Sequence, residues 1–180
     1  WTYTYDDAGN LLTSLSPNGV TVTYAYDELN RVETEDANDV SGVEATYTYD
    51  SCQNGIGQLC EAQASGATTQ YTYDETGNTA SETVTINSTP YTSSFTHNRQ
   101  GQILTVTHPD STVVTNTYNA IGKLETVTVL VLDTDYGPHG QVVSQTNADW
   151  TVATYTYDET KRYRLSRKVT TGWSYQESTS

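Results

Sequence analysis

The strongest constraint on this chain is a phrase that returns at near-constant intervals. It opens as YTYDDAGNL, with Tyr3, Tyr5, Asp6, Gly9 and Leu11, and comes back as YAYDELNRV with Tyr24, Tyr26 and Asp27. It returns again with Tyr47, Tyr49, Asp50 and Gly57, with Tyr71, Tyr73, Asp74 and Gly77, and with Tyr155, Tyr157 and Asp158. Three degenerate copies keep Gly101, Gly122 and Gly140, each followed two positions later by Ile103, Leu124 or Val142. Taking the second aromatic position as marker, Tyr5, Tyr26, Tyr49, Tyr73, His97, Tyr118, Tyr136 and Tyr157 lie 21, 23, 24, 24, 21, 18 and 21 residues apart. Eight such repeats fill the chain, and self-similarity of this kind specifies stacked supersecondary units rather than one central core.

Within a repeat the pattern has period two. From 20 to 26, Val20, Val22, Tyr24 and Tyr26 share one parity while Thr and Ala take the other, which is the signature of a half-polar strand. After the marker, Asp or Asn precedes a short segment with Gly, where the side chain can accept from a nearby backbone N–H and Gly can take positive φ. A second strand follows, as in 103 to 107, and then a second turn signal: Pro17-Asn18-Gly19, Ser65-Gly66, His108-Pro109-Asp110-Ser111 or Asn147-Ala148-Asp149. The expectation is an all-β chain of about sixteen short antiparallel strands in one meander, a single array over residues 1–180. Equivalent residues of successive repeats lie two strands apart, about 9.6 Å, so the tyrosines form a ladder. The apolar run from 127 to 132 is the longest in the chain and has strand length, far short of a membrane span.

Composition agrees. Hydrophobic residues are 34% of the chain, Tyr numbers 15, Met is absent and Phe occurs once, which is too little for a large apolar core and wrong for a helical bundle. The net charge of −14 argues against nucleic acid and anionic membranes as partners. The one basic cluster, Lys161, Arg162, Arg164, Arg167 and Lys168, reads as a solvated face. A chain without an initiator Met reads as a processed product or a piece of a longer protein.

The phrase YxYDxxGxL at a period near 21 resembles the YD or RHS repeat family, which includes the B and C subunits of bacterial Tc toxins, RHS polymorphic toxins, bacterial wall-associated proteins and the extracellular part of teneurins. Asn30 and Lys161 stand where Gly is expected, Thr79 replaces an aliphatic residue and His97 replaces Tyr, so those turns and that rung are expected to be distorted. The resemblance implies a ribbon of hairpins that curves or spirals into a hollow shell, enclosing a toxic polypeptide in the toxin members and forming part of an adhesion ectodomain in teneurins. Asp-Pro pairs mark the self-cleaving core of the toxin members, and no proline here follows Asp, so no protease activity carries over.

Cys52 and Cys60 flank the enlarged turn of the third repeat, and a disulfide between them is expected to staple it, which points to a secreted or cell-surface setting. Chemistry-bearing constellations are weak. His97 occupies a rung, His108 and His139 lie in turns, and Glu33, Glu35, Asp36 and Asp39, the residues that would furnish a glycosidase pair, read as a solvated strand and turn. No metal set, phosphate loop or dinucleotide motif appears, so no cofactor is expected. Asn87-Ser88-Thr89 forms a weak glycosylation sequon. Two functions stand ahead: a non-enzymatic shell segment whose partners are further YD repeats and an enclosed or displayed polypeptide, or an extracellular adhesion or fibre module whose tyrosines stack on surface glycans.

Overall fold

Alternation of period two, broken by a Gly-bearing turn, dictates hairpins. The computed structural model describes residues 1–38 and 44–172; Asp39 lies outside them. The described residues form sixteen strands and one 3-10 turn. The strands are β1 Thr2–Tyr5, β2 Leu11–Leu15, β3 Thr21–Tyr26, β4 Val32–Ala37, β5 Ala45–Tyr49, β6 Leu59–Ala64, β7 Ala67–Tyr73 and β8 Thr79–Ile86, then β9 Thr89–His97, β10 Ile103–Thr107, β11 Val113–Tyr118, β12 Leu124–Val127, β13 Val131–Tyr136, β14 Val142–Asn147, β15 Val152–Asp158 and β16 Arg164–Thr171. The 3-10 turn, Glu159–Lys161, lies between the last two.

The chain divides into two compact halves, residues 1–95 with 108–110, and residues 96–107 with 111–180. In the first, β1 to β8 and most of β9 pair antiparallel in sequence order. In the second, β10 to β16 do the same. The last two residues of β9 belong to the second half, where Thr96 Oγ1 lies 2.6 Å from Thr105 Oγ1. The expected antiparallel meander is what forms.

The primary hairpins share one irregularity. The register shifts just before the marker, so Tyr5 faces Leu11, Tyr26 faces Val32, Tyr49 faces Leu59, Tyr73 faces Thr79, Tyr118 faces Leu124, Tyr136 faces Val142 and Tyr157 faces Leu165. A type I turn followed by a left-handed residue leaves one extra residue on the return strand, and the bulge places it. Beyond the bulge the small polar residues pair across strands: Thr4 with Thr13 at 2.6 Å, Thr72 with Ser81 at 2.6 Å, Thr117 with Thr126 at 2.7 Å. One face is therefore a hydroxyl ladder and the other carries the tyrosines.

Burial is shallow. No side chain among the described residues is fully buried, and only Ser14, Ala37, Gly55, Cys60, Tyr73 and Ala153 are buried. On β3, Val22, Tyr24 and Tyr26 are half-buried while Thr23 and Ala25 are exposed, as the parity requires.

Three local expectations change. The apolar run from 127 to 132 is not one strand: β12 ends at Val127 and β13 begins at Val131, with the Leu130 N–H donating to the Val127 carbonyl across a turn. The 18-residue spacing from Tyr118 to Tyr136 requires a reversal there, and the chain makes it with Val129 at φ 60°, where glycine is normal. Asn30 leaves its turn undistorted, since Asn tolerates the left-handed region and sits at φ 60°. Lys161 is not the residue in the glycine slot; Arg162 and Tyr163 take the left-handed conformation after the 3-10 turn, at φ 56° and 55°.

A β-branched residue in the left-handed region costs about 1–2 kcal/mol, partly offset on substitution by glycine's greater entropy when unfolded. Val129 is exposed, so no packing is lost on truncation. Val129→Gly is expected to stabilise the chain by about 1 kcal/mol in denaturant titration, against the usual destabilising effect of glycine in a β protein.

Candidate functional site: the turn row and the tyrosine ladder

Five of the primary turns start from an Asp or Asn whose side chain takes over two backbone donors. Asp6 Oδ1 accepts from the N–H groups of Ala8 at 2.9 Å and Asn10 at 2.8 Å, while the Asp6 N–H donates to the Asn10 carbonyl and the Gly9 N–H to the Asp6 carbonyl. The same four bonds recur at Asp27, Asp74, Asn98 and Asn119. Gly9, Gly77, Gly101 and Gly122 fill the fourth position with φ between 76° and 90°. Gly140 sits at φ 77° in a turn headed by Gly137, which has no side chain; the Gln141 Oε1 accepts from the His139 N–H instead.

These bonds hold the turn carboxyls below the ordinary carboxylate range. The Asn10 side chain, then its backbone N–H, hold Asp6 below the ordinary carboxylate range; the Arg31 N–H does so first for Asp27, and the Thr76 hydroxyl for Asp74. Asp149 and Asp158 are held down first by the hydroxyls of Thr151 and Thr160.

The marker tyrosines tie each repeat to the one before. Tyr26 donates its phenol hydroxyl to the Leu11 carbonyl at 2.9 Å, Tyr49 to Val32 at 3.0 Å, and Tyr73 to Leu59 at 2.6 Å. In the second half, Tyr118 donates to Ile103 at 2.9 Å, Tyr136 to Leu124 at 2.6 Å and Tyr157 to Val142 at 2.7 Å. The acceptor is always the residue two after the turn glycine position, the first of the return strand. The first aromatics of the pairs vary: Tyr47 donates to Glu35 at 3.1 Å, while Tyr3 is exposed, as is the marker Tyr5. Burial raises the phenol pKa of Tyr24, Tyr47, Tyr49, Tyr71 and Tyr73, with Glu35 adding at Tyr24 and Tyr47.

Polar side chains just after the turns reach onward to the next turn. Asn10 donates to the Asn30 side chain at 2.7 Å, and Gln102 to the Gly122 carbonyl at 2.7 Å. Arg31 does this with charge, bonding Asp27 at 2.7 Å and Asp50 at 2.6 Å while lying 4.3 Å over the Tyr49 ring. Arg31 in turn is the first cause that holds the Asp50 carboxyl low. Asp50, at φ 65°, heads the enlarged turn, and Gly57 at φ 82° donates its N–H to the Asp50 carboxylate.

Within that turn Cys52 and Cys60 form the expected disulfide, Cα atoms 5.4 Å apart, closing a loop whose entropy contributes about 2.5 kcal/mol. A side chain on Gly55 has no room, since a Cβ there falls 2.7 Å from the Cys60 sulfur. The stapled loop grips the next repeat: the Tyr73 N–H donates to the Gln53 carbonyl at 3.1 Å and Asn54 Nδ2 to the Tyr73 carbonyl at 2.9 Å. Cys60 and Tyr73 are among the few buried residues, so the insertion makes a dense joint.

The residues considered for chemistry are scattered. Glu33, Glu35 and Asp36 lie along β4, with Glu35 engaged by Tyr47, and His97 ends β9 in its marker slot. His139 packs against Tyr163, ring centroids 4.0 Å apart, on neighbouring turns. Lys168 lies 5.4 Å over Tyr155, and Lys161 pairs with Asp158 at 3.4 Å. No group of His, Cys, Asp and Glu suited to a metal ion occurs among the described residues. No helix there is long and apolar enough to cross a membrane. The bulge, the phenol acceptors and the turn-to-turn clasps were not anticipated; the consecutive apolar pairs Leu11-Leu12 and Ile103-Leu104, which break the alternation, are the signal that would have located the bulge.

These features define a class: a ladder of β-hairpin repeats, most closed by an Asp or Asn turn and six bonded to the preceding repeat through a tyrosine. Residues 5–42 match the RHS Repeat family model, and the turn and phenol bond of that stretch recur in later repeats. No curated protein matches the chain by sequence. Among solved structures it is similar to the crystal structure of TcdB2-TccC3, at 17% identity and a TM-score of 0.84, over 94% of this chain and 10% of that chain. It is similarly close to TcdB2-TccC3-Cdc42, at 17% identity and a TM-score of 0.83 over the same shares, and to TcdB2-TccC3 without its hypervariable C-terminal region, at 16% and 0.84. The likeness is one of fold, and the chain spans about a tenth of the length of the chains it matches.

The turn carboxylates set the response to acid. Their folded pKa values lie below the unfolded value near 3.9, so their stabilisation is complete above about pH 4 and is lost as pH falls through the folded values. Thermal unfolding followed by far-UV circular dichroism is expected to show a constant midpoint from about pH 7 to about pH 5 and a steep fall below about pH 4. Asp74→Asn, which keeps a turn acceptor without the charge, is expected to flatten that fall.

Proposed function

We propose that the chain is a non-enzymatic wall segment that encloses or displays another polypeptide outside the cell. The observation that carries this reading is how the molecule spends its polar groups. Phenols, turn amides and the one linked Arg all bond from repeat to repeat along the ribbon, while no described side chain is fully buried. Such an array gains its stability between neighbours and offers surface rather than a core or a cleft. The non-enzymatic part rests on what the candidate groups are doing: Glu35 accepts from Tyr47, and His97 stands as a rung. The extracellular part rests on the disulfide, a bond characteristic of oxidising compartments.

Packing also favours a wall over a glycan platform. Six of the eight markers have their hydroxyls committed to backbone carbonyls, which leaves those phenols without the free polar end that sugar stacking uses. The likeness to TcdB2-TccC3 supports the shell reading at the level of fold. Enclosure is tested by protease protection in the full-length protein. The polypeptide adjoining the array is expected to survive trypsin at neutral pH and to be degraded by pepsin once acid opens the turns. Digestion at the rate of the free polypeptide while the array remains intact contradicts enclosure, and retention on a glycan array alongside it favours the adhesion module.

A further inference from the structure

The charge of this chain is divided unevenly. By sequence the first half carries 15 Asp and Glu and a single cation, Arg31, so the whole net charge of −14 resides there. The second half carries seven Lys and Arg against seven Asp and Glu and is neutral. Uneven charge of this size between halves points to an interaction rather than to folding.

The turn rows concentrate the difference. In the first half the primary turns present Asp6-Asp7, Asp27-Glu28, Asp50 and Asp74-Glu75, with Asp7, Glu28, Asp50 and Glu75 exposed. The turn bonds hold the leading carboxyls below the ordinary range, so this row keeps its negative charge well into mild acid. Asp27 and Asp50 are partly neutralised by Arg31. In the second half the corresponding turns present exposed Arg99, Lys123, Lys161 and Arg162, against Asp158 and Glu159 at the last turn. Lys123 leans toward the following turn, about 3.6 Å from the position a Gly140 Cβ would take. Successive turns of either row lie one repeat, two strands or about 9.6 Å, apart, so Arg99 and Lys123 on adjacent turns can meet two adjacent acidic turns in register, while the turn of residues 137–140 carries no Lys or Arg. Apolar tips accompany each row: Leu29 is 69% exposed in the first and Ile121 72% in the second.

We propose that the two rows are complementary docking surfaces, and that the occupant of each is a second copy of this chain, the acidic turn row of one molecule lying against the basic turn row of another. Matching period favours a second copy over an arbitrary acidic partner, since another array of these repeats presents its charges at this same step. The contact is electrostatic at its rim, so it governs association through salt-sensitive attraction.

Sedimentation velocity of the full chain tests this. Association is expected at about 0.01 M salt and dissociation to monomer at about 1 M, as the Debye length shrinks from about 30 Å to about 3 Å. The triple variant Arg99→Glu, Lys123→Glu, Arg162→Glu is expected to weaken self-association at least about tenfold, as is Asp7→Lys, Glu28→Lys, Glu75→Lys. An equimolar mixture of the two variants is expected to associate again, with unchanged far-UV spectra showing that both are folded. A wild-type chain that stays monomeric at low salt, an association indifferent to salt, or variants that each self-associate as the wild type does overturns the proposal. A monomeric chain retained on heparin through the basic row assigns that row to a polyanion and overturns it as well.

Discussion

Most of the primary turns depend on a short-range bond between an Asp or Asn side chain and the backbone two and four residues ahead, at Asp6, Asp27, Asp74, Asn98 and Asn119. With one oxygen the side chain satisfies two N–H groups of the reversal, as Asp6 does for Ala8 and Asn10. That fixes a tight turn whose left-handed fourth residue forces a bulge on the return strand. The bulge in turn sets which residue faces the marker tyrosine, and therefore which carbonyl the next repeat's phenol can reach. A local bond thus decides a contact fifteen residues away, as between Tyr118 and Ile103 or Tyr26 and Leu11.

An array made this way does without a conventional interior. Each phenol bond contributes about 0.5–1.5 kcal/mol, a modest amount that repetition multiplies. The clasps from Asn10, Arg31 and Gln102 add a second line of contacts along the turn row. Where the third repeat carries extra residues, the disulfide prevents the longer loop from fraying and turns it into another inter-repeat contact at Tyr73. The same economy leaves broad surfaces open, consistent with a wall whose use lies in what it faces.

Much of this was legible because repetition separates signal from accident. Strand count, parity, the glycine turns, the cysteine pair and the family resemblance all follow from residues recurring in register. What was not legible depends on geometry that a linear pattern does not encode. The bulge arises from the hydrogen-bond count of the turn, and the phenol acceptors are backbone carbonyls, which every residue possesses and no residue type advertises. The turn at Val129 has no turn residue, and only the shortened spacing from Tyr118 to Tyr136 betrays it. Asn30 was expected to distort its turn and does not, because a short polar side chain tolerates the same left-handed conformation as glycine.

The central claim is that phenol bonds between successive repeats hold the array together. Equilibrium unfolding of Tyr→Phe variants measures this directly: Tyr26, Tyr49, Tyr73, Tyr118, Tyr136 and Tyr157 singly, and then combined within each half, with Tyr5→Phe as the exposed control. The account predicts a loss of about 1 kcal/mol for each of the six, accumulating when they are combined, and no change at Tyr5. Six near-neutral substitutions, or losses at Tyr5 equal to those at the other markers, would contradict it.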